Sequence, residues 1–379
     1  MRYFVIAGEA SGDLHGSFLV EQIKTADTNA TIEGWGGDLM AAQGVKLHKH
    51  IRDLAFMGFV EVAKNLSTIF ANIKLVKQQI TDFLPDALVL VDYPGFNFRI
   101  AKWAKKQGFK VLYFISPNVW AWKANRVYKV RDNTDRMYTI LPFEKAFYAK
   151  YNIDVEYYGH PLVDVTSSYK AKSIDEFRQM HNLPDKPIIA TMAGSRKQEI
   201  SRMLPVMLET AKKFPQYEFL ITGAPAIDKE YYEQFLTQKP ENVELLFNST
   251  YEILSHAEAG LVTSGTATLE AALFGVPQVV CYKADAFSVF IARQVSRFSG
   301  VKYISLVNLI LDKPCVRELI QDDLTVQNAT DELSKIIVGG EKRTIIENDY
   351  KELFERLGEK GVYHRIAIDM VKRATTTNA

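Results

Sequence analysis

The 379-residue chain is 47% apolar and 24% charged, enough to bury two ordinary cores, one oversized core being the less usual solution. Its 46 lysines and arginines nearly cancel 45 aspartates and glutamates, and a net charge of +1 disfavours a nucleic-acid partner bound through counterion release. Cys281 and Cys315 are the only cysteines, too few for a disulfide framework and without the spacing of a zinc site, so a reducing compartment fits.

The chain opens on Met1-Arg2-Tyr3-Phe4-Val5-Ile6-Ala7, an apolar run shorter than a signal-peptide core, which reads as a first strand over 3–7. No window reaches the roughly 20 apolar residues that span a bilayer, so any membrane contact is expected to be peripheral. Short β-branched runs then alternate with amphipathic stretches, the pattern of parallel sheets covered by helices, and the predicted class is α/β. Further strands are expected at 31–34, 87–91, 110–114 and 137–140, with helices at 13–24, 59–83 and 97–107. Gly159-His160-Pro161-Leu162 and the polar Thr166-Ser167-Ser168-Tyr169-Lys170 mark a hinge. Beyond it the same grammar resumes: strands at 187–192, 218–222, 243–246, 259–262 and 278–281, and helices at 196–214 and 266–274. Two helices at 344–357 and 363–373 precede a polar tail that frays. The predicted domains are 1–165 and 166–343, with 344–379 as C-terminal helices.

Three strand–helix junctions carry chemistry. The first, Gly8-Glu9-Ala10-Ser11-Gly12-Asp13, has the small residues and helix start of a phosphate loop; it lacks the dinucleotide glycine spacing and is equally the form of a tight turn. At the second, Ala193-Gly194-Ser195-Arg196, Arg196 is placed to grip a diphosphate, or to sit solvated at a helix start. The third, Ser264-Gly265-Thr266-Ala267-Thr268-Leu269-Glu270, combines a small-residue nest for phosphates with a carboxylate one turn on that can accept both ribose hydroxyls, or simply cap the helix.

Asp92 follows the strand at 87–91, at the carboxyl end where open α/β sheets bind ligands, and is the candidate base; Asp86, at the strand's other end, is expected to fasten a loop or cap a neighbouring helix. Ser116-Pro117-Asn118-Val119-Trp120-Ala121-Trp122-Lys123, with Arg126 and Arg131, fits a wall for an acyl chain, and also plain core. The stripe of Phe287, Phe290, Ile291, Gln294, Val295 and Phe298 beside Arg293 and Arg297 fits an anionic membrane surface or domain packing.

Taken in order, Gly8-Glu9-Ala10-Ser11-Gly12-Asp13, Met57-Gly58-Phe59-Val60-Glu61-Val62, Ser116 to Trp122, Leu141-Pro142-Phe143-Glu144, Gly159-His160-Pro161 and Ser264 to Glu270 resemble the lipid-A-disaccharide synthase family. The likeness continues through Tyr303 to Leu309 and Val316 to Gln321. It implies a GT-B fold of two Rossmann-like domains facing across a cleft, the helices of 344–379 packing back toward the first. It implies inverting transfer of 2,3-diacylglucosamine from UDP-2,3-diacylglucosamine to 2,3-diacylglucosamine 1-phosphate, giving a β-1,6 disaccharide and UDP, without a cofactor or metal. By this resemblance Ser195, Arg196, Ser264, Gly265, Thr266 and Glu270 hold UDP, with Asn308 and Glu318 nearby; Glu9, Ser11, Gly12, Asp13, Asn118 and Trp120 line the acceptor side. Asp92 and Arg196 are then the catalytic pair. The enzyme would be cytoplasmic and peripheral to the inner membrane, with a homodimer allowed.

Many relatives carry an aspartate after the proline of the Asp92 block, where this chain has Gly95, which leaves Asp92, another acid such as Glu9 or Asp13, or catalysis that leans more on positioning than on proton transfer. Two rivals stay open: a UDP-sugar epimerase or other GT-B transferase, and a non-catalytic nucleotide-sugar-binding protein.

Overall fold

The computed structural model describes residues 1–54, 66–117, 119–122, 126–284 and 302–376, the side chains of 66, 121 and 122 excepted. The motif at 57–62, the start of the helix predicted at 59–83, Asn118, Lys123 and the stripe from Phe287 to Phe298 lie outside the described residues. The chain forms two compact units, Met1–Asp164 with Gly358–Ala379, and Val165–Leu357.

Unit 1 is built on seven parallel strands: β1 (Arg2–Ala7), β2 (Thr31–Gly36), β3 (Lys46–His50), β4 (Ala87–Val91), β5 (Val111–Phe114), β6 (Arg136–Thr139) and β7 (Glu156–Tyr157). Their order is β3-β2-β1-β4-β5-β6-β7, so the chain steps outward from β1, returns, and steps outward the other way from β4. That reversal is a topological switch point. All five residues of β4 are buried, as expected of a central strand covered by helices on both faces. Ala7 pairs with Val91, so Gly8 and Asp92 leave the sheet side by side.

Unit 2 repeats the plan with six parallel strands: β8 (Ile188–Met192), β9 (Glu218–Gly223), β10 (Val243–Phe247), β11 (Ala257–Thr263), β12 (Gln278–Tyr282) and β13 (Arg317–Ile320). The order β10-β9-β8-β11-β12-β13 places its switch point between β8 and β11, where Met192 pairs with Val262. The α/β class and the doubly wound sheets match the predicted architecture.

Three strands had no sequence signal. β3 (KLHKH), β7 (EY) and β13 (RELI) are edge strands, half exposed and polar, so neither an apolar run nor clean alternation marks them. The two C-terminal helices also part company. Helix Val362–Thr375 belongs to unit 1: Asp164 accepts from the amides of Gly361 (2.7 Å) and Tyr363 (3.0 Å), and Tyr363 stacks on Phe18 of helix Ala10–Ala26. Helix Arg343–Leu357, expected to pack back on the first domain, instead belongs to unit 2. There Lys313 bonds both Asp349 and Glu352 at 2.7 Å, Tyr350 donates to the Val276 carbonyl at 3.1 Å, and Arg356 donates to the Ile310 carbonyl at 2.6 Å. Among the described residues no helix is long and apolar enough to cross a membrane.

Candidate functional site

In unit 1 the switch point is a sharp turn. Asp92 has φ +45 and Tyr93 φ +49, two left-handed non-glycine residues in succession, each a strain of about 1–3 kcal/mol. The turn is held from all sides. The Asp92 amide donates to the Phe114 carbonyl at 2.9 Å, and the Asp92 carbonyl accepts from Asn97 Nδ2 at 2.8 Å and from the Tyr113 hydroxyl at 2.6 Å. Gly8 makes room for the Tyr93 ring, since a Cβ there would lie 2.2 Å from Tyr93 Cδ1.

Burial and, less strongly, the nearby Glu9 carboxylate together raise the Asp92 carboxyl to about 6 against the opposing Tyr93 backbone amide. A carboxylate so poised is ionised at neutral pH yet basic enough to draw a proton from a hydroxyl. Glu9 is exposed at the N-cap of helix Ala10–Ala26 and Ser11 is exposed in its first turn. Gly12 is buried: a Cβ would come within 3.3 Å of the Ala7 Cβ, so the missing side chain lets the helix start press onto β1.

Asp13 departs from its expected part. Only 4% exposed, it accepts from the backbone amides of Gly37 (2.6 Å), Leu39 (3.1 Å) and Met40 (3.1 Å), so its carboxylate caps helix Asp38–Ala42 and is not a spare acid or ligand group. Asp86 accepts the Arg2 amide at 2.7 Å, the fastening its position implied. Trp120 is half-buried, edge-on to Phe143 at 5.0 Å, and its Nε1 has no acceptor among the described residues.

Unit 2 offers donors where unit 1 offers acids. Helix Thr266–Leu273 starts at Gly265, whose φ of +135 and ψ of −158 are open essentially to glycine alone. The amides of Gly265, Thr266 and Ala267 have no acceptor among the described residues, and Gly265 and Thr266 are exposed. Such a helix start favours a bound anion. Ser264 Oγ donates to the Ile304 carbonyl at 2.8 Å, tying the nest to the segment ahead of helix Leu306–Leu311. Glu270 lies a turn on, fixed by the Tyr251 hydroxyl at 2.9 Å; burial raises its carboxyl and that bond pulls it back.

Arg196 caps helix Lys197–Ala211 with its side chain 78% exposed, 3.5 Å from Glu199. The amides at this junction are already taken: Glu199 Oε2 accepts from Ser195 N at 3.0 Å and Arg196 N at 3.3 Å, and a Cβ on Gly194 would strike Glu199. The Ser195 amide is thus not an open anion donor, and the guanidinium of Arg196 is what this junction presents.

Asn308 and Glu318 require a second correction. Glu318 accepts from Ile304 N, Ser305 N, Ser305 Oγ and Asn308 Nδ2 at 2.8–3.2 Å, while Asn308, 1% exposed, also exchanges hydrogen bonds with the Val316 backbone at 2.9 Å both ways. Their polar atoms are engaged in building the 304–308 segment, which the Ser264–Ile304 bond ties to the nest. Tyr251, Asn97, Tyr113 and Glu199 escaped the sequence reading. Only Glu199 had a signal, its capping-box spacing from Arg196.

Among the described residues no group of three or more His, Cys, Asp or Glu is arranged to hold a metal. A family model described as lipid-A-disaccharide synthetase matches residues 3–369. The lipid-A-disaccharide synthase of Syntrophus aciditrophicus strain SB is 37% identical over 96% of this chain and 95% of its own length. The fold is similar to that of a UDP-GlcNAc 2-epimerase from Neisseria meningitidis, solved bound to UDP-GlcNAc, with a TM-score of 0.70, 16% identity and coverage of 98% of this chain and 100% of that one. The glycosyltransferase of kitacinnamycin gives a TM-score of 0.65 at 13% identity over 99% and 98% of the two chains.

Proposed function

The chain belongs to the lipid-A-disaccharide synthase family, and from that membership we propose how its residues divide the work. It is a hexosyltransferase that moves 2,3-diacylglucosamine from UDP to the 6-hydroxyl of 2,3-diacylglucosamine 1-phosphate, releasing UDP. The epimerase likeness is one of fold, whereas the synthase likeness holds at 37% identity along nearly the whole chain.

Asp92 takes the proton of the acceptor 6-hydroxyl as that oxygen attacks the anomeric carbon of the donor. The bond to the β-phosphate oxygen breaks on the opposite face, and the new linkage is β-1,6. The departing diphosphate carries the developing charge, which the open amides of Gly265, Thr266 and Ala267 and the guanidinium of Arg196 stabilise. Glu270 accepts the ribose hydroxyls, its second oxygen being left over from the Tyr251 bond. Glu9 and Ser11 border the acceptor beside Asp92, and Trp120 offers its ring to an acyl chain.

The observation that carries this assignment is the Asp92 carboxyl, raised to about 6 at the carboxyl edge of a switch point. Purified protein incubated with the two acyl-sugar substrates should yield the tetraacyl disaccharide 1-phosphate by mass spectrometry. UDP binding without that product would return the chain to the binding proteins. Because both substrates carry acyl chains, we place the enzyme peripherally on the cytoplasmic face of the inner membrane; flotation with anionic vesicles tests this point.

A further inference from the structure

We propose that Asn97 and Tyr113 are positioning residues of the transfer, clamping the Asp92 carbonyl so that the Asp92 carboxylate is held at the carboxyl edge of the sheet. The inference rests on Asp92 being the base. The turn it explains is unusual: Asp92 and Tyr93 are both left-handed, at φ +45 and +49, and neither is glycine. Two donors from separate elements converge on the one carbonyl between them, Asn97 Nδ2 from helix Pro94–Lys106 at 2.8 Å and the Tyr113 hydroxyl from β5 at 2.6 Å. Asn97 reaches back further, to the Val91 carbonyl at 3.2 Å.

Filling the core does not call for the polar atoms of either side chain. Asn97 is 0% exposed, and its Oδ1 is buried with no partner among the described residues, an unfavourable state that an apolar side chain of similar size would avoid. What an apolar residue could not do is donate to the turn. Tyr113, also 0% exposed, stacks on Phe98 with its ring and directs its hydroxyl to the same oxygen. Without these donors the peptide after Asp92 is free to leave the left-handed region, and the carboxylate swings with it. A base must lie within about 3 Å of the proton it removes, and a displacement of about 1 Å costs up to about a hundredfold.

Among the described residues the groups facing Asp92 are Glu9 from the β1 junction, Tyr93 from the turn itself and Tyr113 from β5. No cation is among these, so a carboxylate released toward water loses the burial that holds its pKa up.

The test uses Tyr113→Phe, Asn97→Ala and the pair in the full-length chain. Each single variant should lower kcat about tenfold, and the pair about a hundredfold, with KM for both substrates within about twofold. The acid limb of the kcat–pH profile should move to lower pH. All four tryptophans, at 35, 103, 120 and 122, lie in unit 1, so their fluorescence on heating reports whether that unit stays folded. If Asn97→Ala does not fold, Tyr113→Phe decides alone. A folded Tyr113→Phe with unchanged kcat and acid limb overturns the clamp. Carbon-13 titration of the Asp92 carboxyl, assigned by its loss in Asp92→Asn, needs no turnover and separates two failures. A lowered Asp92 pKa in Tyr113→Phe alongside normal turnover of Asp92→Asn keeps the clamp and discards the base. An unchanged pKa alongside an inactive Asp92→Asn does the reverse.

Discussion

The two units share one construction, a parallel sheet whose strand order reverses at its centre, and put opposite chemistry in the same place. At the β1–β4 edge of unit 1 burial and the charge of Glu9 make Asp92 resist ionising, and the backbone is strained to present it. At the β8–β11 edge of unit 2 the backbone supplies donors, with a guanidinium 78% exposed nearby. The topology provides a place open to ligand, and a handful of residues decide whether it removes protons or holds anions. A transferase that must deprotonate an alcohol and stabilise a diphosphate needs one of each.

The sharpest way to break this contrast is Asp92→Asn. It should lower kcat at least about a hundredfold while UDP affinity, measured by calorimetry, stays within about twofold. Turnover near the wild-type rate would take proton removal away from unit 1. Next in size is Glu270→Gln, which replaces a buried acceptor-only carboxylate with an amide that can satisfy Tyr251 but repels one ribose hydroxyl donor. UDP should bind about tenfold more weakly, with kcat at saturation little changed. Unchanged affinity would leave Glu270 as a packing partner of Tyr251.

Much of this contrast was legible in the sequence, and what was not has identifiable causes. Central strands such as β4 and β8 announce themselves because they are apolar throughout, but for Thr191 in β8, and the three junctions follow because glycines and helix starts fall directly after such strands. Edge strands β3, β7 and β13 share their composition with loops. Site residues failed in a more instructive way. Asp13, Asn308 and Glu318 sit inside motifs that fit a ligand-binding reading, but their oxygens and amides are engaged by backbone amides 24–27 residues away for Asp13 and by backbone and side-chain partners 8–14 residues away for the other two. A motif tells that a polar group is wanted, and only the fold tells whether protein or ligand wants it. Asn97 and Tyr113 show the converse, polar residues in apolar surroundings whose purpose depends on a turn 5 and 21 residues away.

Smaller effects sharpen the account of unit 1 through the sign of a pKa change. Activity that needs Asp92 ionised rises with pH through its inflection, near 6. Because Glu9 adds to the upward shift, Glu9→Gln should move that inflection down by roughly half a unit, with high-pH activity retained if Glu9 acts through charge alone.

Gly95→Asp should act in the other direction and least of all. A Cβ at Gly95 meets nothing within 4 Å, and the position lies in the first turn of helix Pro94–Lys106, where a carboxylate is favoured by the helix dipole. Stability should therefore change by no more than about 0.5 kcal/mol, and the added negative charge should raise the Asp92 inflection by a few tenths of a unit at most. The informative background is Asp92→Asn. If Gly95→Asp restores turnover there, a carboxylate after the proline can remove the acceptor proton, and the base is a property of the turn's location. If it restores none, the strained left-handed position of Asp92 is itself the requirement, since the new carboxylate would have the charge and the space but not the backbone that aims it.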